Sequence, residues 1–234
     1  MEEEEEEDDA TAATGPVFNL IAILQQAHQE NGRLYYYATS APGKPGHSIM
    51  PVTPFVFELF IYNSIYQVDW PTSLKARQVI AHPGGEQGFN EPKQQSELEK
   101  FLRGYVRGKP SLLYEAYVPI RDMELEGDWT EVVPDERISI GEGKDFFERL
   151  RSLRAMLQAP RENFVASKKC FALIAQCRLY VYLVRNNVFH GSKTLGETYE
   201  PHQRRRIELY LFFVRCMNEL FFSVCHEIGL SPSK

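Results

Sequence analysis

Residues 161–191 read RENFVASKKCFALIAQCRLYVYLVRNNVFHG, with neither proline nor glycine before Gly191. A run of this length without a helix breaker predicts a single helix of roughly 30 residues. Within residues 170–184, nearly every helical position is apolar, apart from Gln176 and Arg178. Apolar character on all faces is typical of the central helix of a bundle.

Apolar residues at helical spacing also predict shorter helices on both sides of this segment. One begins after Pro16 and meets a stop signal at Asn31-Gly32. Further helices are predicted at residues 55–68, 98–105, 145–157 and 201–229, with loops at 38–54 and 82–92 and an irregular stretch at 118–143. No segment alternates as a strand does. The predicted fold class is therefore all-α: an antiparallel helical bundle with additional N-terminal helices and long loops.

The charge pattern divides the chain into three parts. Residues 1–14 form an acidic tail that is expected to be disordered, residues 15–141 an N-terminal helical region, and residues 142–230 the bundle core. The whole chain carries a net charge of −6, yet residues 142–234 contain 15 Lys and Arg against 9 Asp and Glu. This basic excess is a modest indication of a phosphate-bearing partner, and solvated helix faces explain it about equally well.

Several classes of protein do not fit the composition. No apolar run is long enough to cross a bilayer and no export signal is visible, so we expect a cytoplasmic protein without membrane contact. The cysteines lie in apolar helical segments rather than in paired knuckles, which favours buried free thiols over metal ligands or disulfides: Cys170, Cys177, Cys216 and Cys225. Glycine-rich phosphate loops and the common hydrolase motifs are missing, so neither a metal nor a cofactor is expected.

Three polar residues interrupt the end of the long helix: Arg185, Asn186 and His190, directly before Gly191. Asn186 and His190 are four residues apart and share a helix face, with Arg185 about 100° away. Burying these groups without partners would be costly, so they either line a cleft or are hydrogen-bonded. Arg77 and His82 have the same spacing as Arg185 and His190, but they lie in a segment with loop character.

The Arg185-Asn186-x3-His190-Gly191 segment resembles the signature of the HEPN superfamily, helical-bundle ribonucleases marked by Arg, four to six residues, and His. The similarity covers this segment and the helices around it, residues 142–230. It implies a HEPN-like bundle that cleaves RNA without a metal or cofactor, leaving 2′,3′-cyclic phosphate and 5′-hydroxyl ends. Such a protein acts as a toxin, a defence effector or a housekeeping processor.

The resemblance also implies roles for individual residues. His190, an imidazole with an ordinary pKa of about 6.5, would exchange protons with the ribose 2′-hydroxyl or the leaving 5′ oxygen. Arg185 would bind the phosphate and Asn186 would orient either group. Basic residues just beyond the motif are candidates for holding the RNA backbone, although a solvated helix start explains them equally well: Lys193, Arg204, Arg205 and Arg206.

The expected partners are RNA, a second copy of the chain in a homodimer, and a cognate antitoxin or inhibitor. The aromatic residues of the last helix, at 209–214 and 220–222, suggest a self-association face. Some relatives carry a Tyr two residues after the His as a modification site, whereas this chain has Ser192. Two alternatives remain: an inactive HEPN-like adaptor that dimerises or binds RNA, and a purely structural polar helix end capped by Gly191.

Overall fold

A computed structural model describes residues 15–40, 52–82, 91–121, 160–166 and 201–230, together with Ile174, Arg178 and Val181. Helices in this part of the chain are numbered in order: α1 (Pro16–Ser40), α2 (Val52–Tyr66), α3 (Trp70–Ala76), α4 (Glu91–Val106), α5 (Pro110–Arg121), α6 (Arg161–Ala166) and α7 (Pro201–Glu227). The three separate residues are helical as well. No strand occurs within the described ranges, where a single bridge pairs Val68 with Ala81. The all-α prediction is confirmed for these residues.

Helix α7 lies at the centre of the described core. It packs against α2 and α5 and also contacts α1 and α4. Its rings contribute much of the packing: Phe221 lies 4.7 Å from Trp70 of α3 between ring centroids, and Tyr210 lies 6.2 Å from Phe55 of α2. None of the described helices is long and apolar enough to span a bilayer.

The predicted self-association face on α7 stays a prediction. Most of its described apolar side chains are buried within one chain, because α7 is surrounded by other helices: Tyr210, Leu211, Phe213, Val214, Leu220, Phe221 and Phe222. The predicted end of this helix is confirmed, since Gly229 follows it with a φ of 72°, the left-handed region that glycine adopts without strain.

Helix α1 does not stop at Asn31-Gly32, as the sequence had predicted, but continues to Ser40. The predicted loop at 38–54 is correspondingly too long, because α2 already begins at Val52. Gly32 serves close packing instead of termination: a Cβ at this position would lie 2.5 Å from a guanidinium nitrogen of Arg215 on α7. A glycine that allows a side chain to approach the helix backbone costs some helix propensity without ending the helix.

Helix α3 was not predicted, although the end of α2 before Asp69 was. Pro71 stands in the first turn of α3, where a missing N–H does no harm, and Asp69 caps the helix by accepting from the Thr72 N–H over 3.1 Å. Trp70 donates its indole N–H to the Ile65 carbonyl over 2.8 Å, which fixes the turn between the helices. Pro71 is thus the start of a new helix rather than only the end of the previous one.

Two further boundaries differ from the predictions. Helix α4 begins at Glu91, inside the predicted loop at 82–92, because Pro92 is tolerated in its first turn. Helix α5 was not predicted, and its last residues, up to Arg121, overlap the predicted irregular stretch at 118–143. The acidic tail, the predicted helix at 145–157 and the division near residue 141 lie outside the described residues.

Candidate functional site

The residues of the predicted reaction centre, Arg185, Asn186 and His190, lie outside the described residues, as does Lys193. The three arginines predicted to hold RNA are placed on the first two turns of α7 by their backbone, and their side chains are not described: Arg204, Arg205 and Arg206. The mutual arrangement of the predicted site residues therefore stays a prediction.

The helical segment before the predicted site is anchored to the core. Ile174 and Val181 are both buried, and Arg178 between them donates its Nε–H to Glu99 of α4 over 2.7 Å. Glu99 also accepts from Arg103 over 3.0 Å and is itself buried. Positions 174, 178 and 181 are separated by four and three residues, so they share one face of a helix, and that face contacts the protein interior.

The most elaborate polar arrangement among the described residues surrounds Glu58, in the middle of α2. Its side chain is completely buried, and so are Phe55, Leu59 and Tyr62, which precede and follow it in α2. A carboxylate in such surroundings is stable only when donors satisfy its oxygens. The sequence analysis missed this residue.

Four side chains supply donors to the Glu58 carboxylate. Asn31 Nδ2 and Arg215 donate to Oε1 over 2.9 and 2.6 Å, while Asn218 Nδ2 and His28 Nδ1 lie 2.8 and 2.7 Å from Oε2. Asn31 also donates to the Pro54 carbonyl, and Asn218 to the backbone carbonyl of Glu58. Each carboxylate oxygen thus has two donors, which accounts for its four lone-pair sites.

These donors come from two helices at helical spacing. His28 and Asn31 are three residues apart on α1, and Arg215 and Asn218 are three apart on α7, so each helix presents a pair on one face. Glu58 therefore joins three helices through a single carboxylate. We call this set, with Glu219 of α7 added, the Glu58 cluster.

The Glu58 cluster contains two acidic and two basic groups. His28 bridges the two acids: its Nε2 lies 3.2 Å from Glu219 Oε2, on the side away from Glu58. Burial by itself would lower the pKa of His28, but the hydrogen bonds to Glu219 and Glu58 outweigh it, and the pKa is raised above its ordinary value of 6.5. Burial would likewise raise the pKa of Glu58, but His28, Arg215 and Asn218 together lower it. Both shifts favour the charged form of the group.

A groove of about 790 Å³ opens beside the cluster, between α1, α5 and α7. His28, Glu219 and Phe222 are among the residues that line it, and the ring centroids of Phe222 and His28 lie 5.4 Å apart. Two more carboxylates line the groove, and each has a permanent cation as partner: Glu115 with Arg161, and Glu227 with Lys109. The groove has three carboxylates and a single arginine, Arg33, in its lining, so it is a poor surface for an RNA backbone.

The thiol prediction is confirmed where it is tested. Cys216 and Cys225 are free and buried, and burial raises the pKa of the Cys225 thiol. Cys170 and Cys177 lie outside the described residues. Among the residues that the structure describes, no group of three or more His, Cys, Asp or Glu side chains is arranged to hold a metal ion.

No family model, curated protein or solved structure matches this chain. The resemblance to HEPN ribonucleases accordingly rests on residues 185–191 and the predicted helices around them.

Proposed function

We propose that this chain is a metal-independent endoribonuclease with a HEPN-like helical bundle and a reaction centre formed by Arg185, Asn186 and His190. The observation that carries the proposal is the Arg185-Asn186-x3-His190-Gly191 segment at the end of the long apolar helix that the sequence predicts.

The proposed reaction is an internal transesterification. The ribose 2′ oxygen attacks the adjacent phosphorus, its proton passes to a neutral imidazole, and the bond from phosphorus to the 5′ oxygen breaks as that oxygen receives a proton. Arg185 stabilises the negative charge that develops on the phosphate oxygens, and Asn186 orients His190 or the phosphate. The products are a 2′,3′-cyclic phosphate and a 5′-hydroxyl end.

One histidine cannot remove a proton and supply another in the same step. A homodimer in which two copies of residues 185–190 face each other would provide both a base and an acid. Residues just outside this centre would bind flanking phosphates through their positive charges: Lys193, Arg204, Arg205 and Arg206.

The test is cleavage of a structured RNA by the full chain in the presence of EDTA. We expect cleavage by the parent and its loss, by a factor of at least about 100, in His190→Ala and Arg185→Ala. The chain offers a matched control, because Arg77 and His82 have the same spacing; Arg77→Ala and His82→Ala should cleave like the parent. The cyclic phosphate blocks the 3′ end of the upstream product. That end should therefore resist enzymatic addition of nucleotides until the phosphate is hydrolysed and removed.

Other outcomes decide against the proposal. RNA retention without cleavage by the parent and both variants favours the adaptor function. Loss of thermal stability in both variants, with no RNA binding by the parent, favours a structural role for these residues.

A further inference from the structure

His28 is enclosed by two carboxylates, one on each ring nitrogen. Its Nδ1 lies 2.7 Å from Glu58 and its Nε2 lies 3.2 Å from Glu219, and the residue is only 3% exposed. Ionised carboxylates only accept hydrogen bonds, so both contacts are satisfied only when both ring nitrogens carry a proton. The geometry is that of an imidazolium.

A neutral imidazole has one N–H, and it can therefore keep only one of the two carboxylates. Glu58 is fully buried, and a ring lone pair directed at its carboxylate would have no water to relieve it. The side chain of Glu219 is 37% exposed at the groove, where water can replace the imidazole as its partner. The contact with Glu219 is therefore the one that deprotonation breaks.

We propose that His28 forms a proton-dependent contact between α1 and α7: the protonated ring donates a hydrogen bond to the Glu219 carboxylate, and the deprotonated ring no longer does. The raised pKa of His28 agrees with this geometry and is not its basis. The proposal is independent of the proposed ribonuclease activity, because it concerns only residues of the Glu58 cluster and the adjoining groove.

The other charged groups around His28 lie on α1, α2, α5 and α7. From α2, Glu58 favours the imidazolium; from α7, Arg215 opposes it while neutralising Glu58. The groove is also lined by Arg33 of α1, Glu115 of α5, and His226 and Glu227 of α7.

Two other carboxylates line the groove, and both contact permanent cations: Glu115 pairs with Arg161 and Glu227 with Lys109. The contact between Glu219 and His28 differs from these because the imidazole can lose its charge. Loss of the His28 proton makes the net charge of the groove lining more negative by one unit, and the charge that is lost is the one on His28.

The experiment is an NMR titration of the full chain labelled with ¹³C and ¹⁵N, with the His28 signal assigned by its absence from His28→Gln. In Glu219→Gln we expect the pKa of His28 to fall by about one pH unit, because an anionic acceptor is lost. Glu227→Gln is the matched control, since it removes a carboxylate from the same groove that does not contact His28; its His28 pKa should equal that of the parent.

A second measurement uses the parent protein and does not depend on the folding of a variant. The side-chain carboxyl ¹³C signal of Glu219 should shift with the same midpoint as the ring signals of His28, whereas that of Glu227 should not. An unchanged His28 pKa in Glu219→Gln would overturn the proposal. The proposal would also be overturned if the carboxyl signal of Glu219 did not change over the pH range in which His28 titrates, or if the His28 ring were already neutral at pH 6.

Discussion

Arg215 donates to Glu58 over 2.6 Å and thereby joins two helices separated by 157 residues in the chain. The Glu58 side chain is fully buried, whereas the Arg215 side chain is about a quarter exposed. The carboxylate has therefore lost its hydration, and the guanidinium keeps part of its own. A buried ion pair adds little to stability compared with apolar residues of the same shape, but removing one partner leaves an uncompensated charge. The Glu58 cluster is therefore expected to respond strongly to single substitutions.

Glu58→Gln should lower the free energy of unfolding by about 3–5 kcal/mol. The substituted amide cannot balance the charges of His28 and Arg215, and its NH₂ group is directed at two donors. Urea denaturation measured against the parent tests this. The matched control is Glu30→Gln, which removes the carboxylate of the exposed pair with Arg33 and should cost no more than about 1 kcal/mol. Equal effects of the two substitutions would contradict the role given to Glu58.

Gly32→Ala should destabilise the protein by about 1 kcal/mol, because the added methyl group would lie 2.5 Å from the Arg215 guanidinium, which can move aside only by weakening its contact with Glu58. Gly104 provides the comparison: it is also helical but has nothing within 4 Å of an added Cβ, so Gly104→Ala should stabilise by about 0.5 kcal/mol. A double-mutant cycle identifies the cause. In an Arg215→Ala background most of the Gly32→Ala penalty should vanish, and a penalty that persists would show that the glycine serves something else.

The sequence predicted most helices correctly because helical periodicity is a local property. It failed at Gly32 and Pro71, where the same residue type that ends one helix also permits a close approach or begins another helix. The role of Gly32 depends on Arg215, which is distant in the sequence, and the role of Pro71 depends on the helical turn that follows it. A local hydrophobic pattern contains neither.

The Glu58 cluster was missed for a related reason. His28 and Arg215 are 30 and 157 residues from Glu58, and nothing in a single sequence pairs them. One signal was nevertheless present: Glu58 interrupts the apolar run VFELFIY of residues 56–62, as Asn218 and Glu219 interrupt α7. A charged residue within an otherwise apolar helix requires partners, and asking which residues supply them would have indicated a buried polar cluster.

Protein stability should be greatest at mildly acidic pH. The folded-state pKa of His28 lies above 6.5, so its contribution is fully present below that value and is lost as the pH rises through the folded pKa. The folded-state pKa of Glu58 lies below 4.5, so its contribution is present above that value and is lost as the pH falls through the folded pKa. Urea midpoints measured from pH 3 to 9 should decline on both sides of this window.

Substitution of His28 distinguishes the alkaline decline of the urea midpoint from the acidic one. In His28→Gln the decline on the alkaline side should flatten, whereas His226→Gln, which removes an exposed imidazole of the same groove, should retain it. An alkaline limb unaffected by His28→Gln would assign the decline to other groups.

Asn218→Asp should be among the most destabilising isosteric substitutions in the described part of the chain. The Asn218 amide nitrogen donates to both the carboxylate and the backbone carbonyl of Glu58, while its own oxygen is buried without a hydrogen-bond partner. An aspartate places a second carboxylate 2.8 Å from the first and removes both donations. We expect a loss of about 3 kcal/mol or more at pH 7.

The loss of stability in Asn218→Asp should shrink as the pH falls, because one proton shared between the two acids relieves their repulsion. Asn163→Asp, at an exposed position of α6, should be nearly neutral at every pH. A pH-independent loss in Asn218→Asp would mean that packing, and not charge, accounts for the effect.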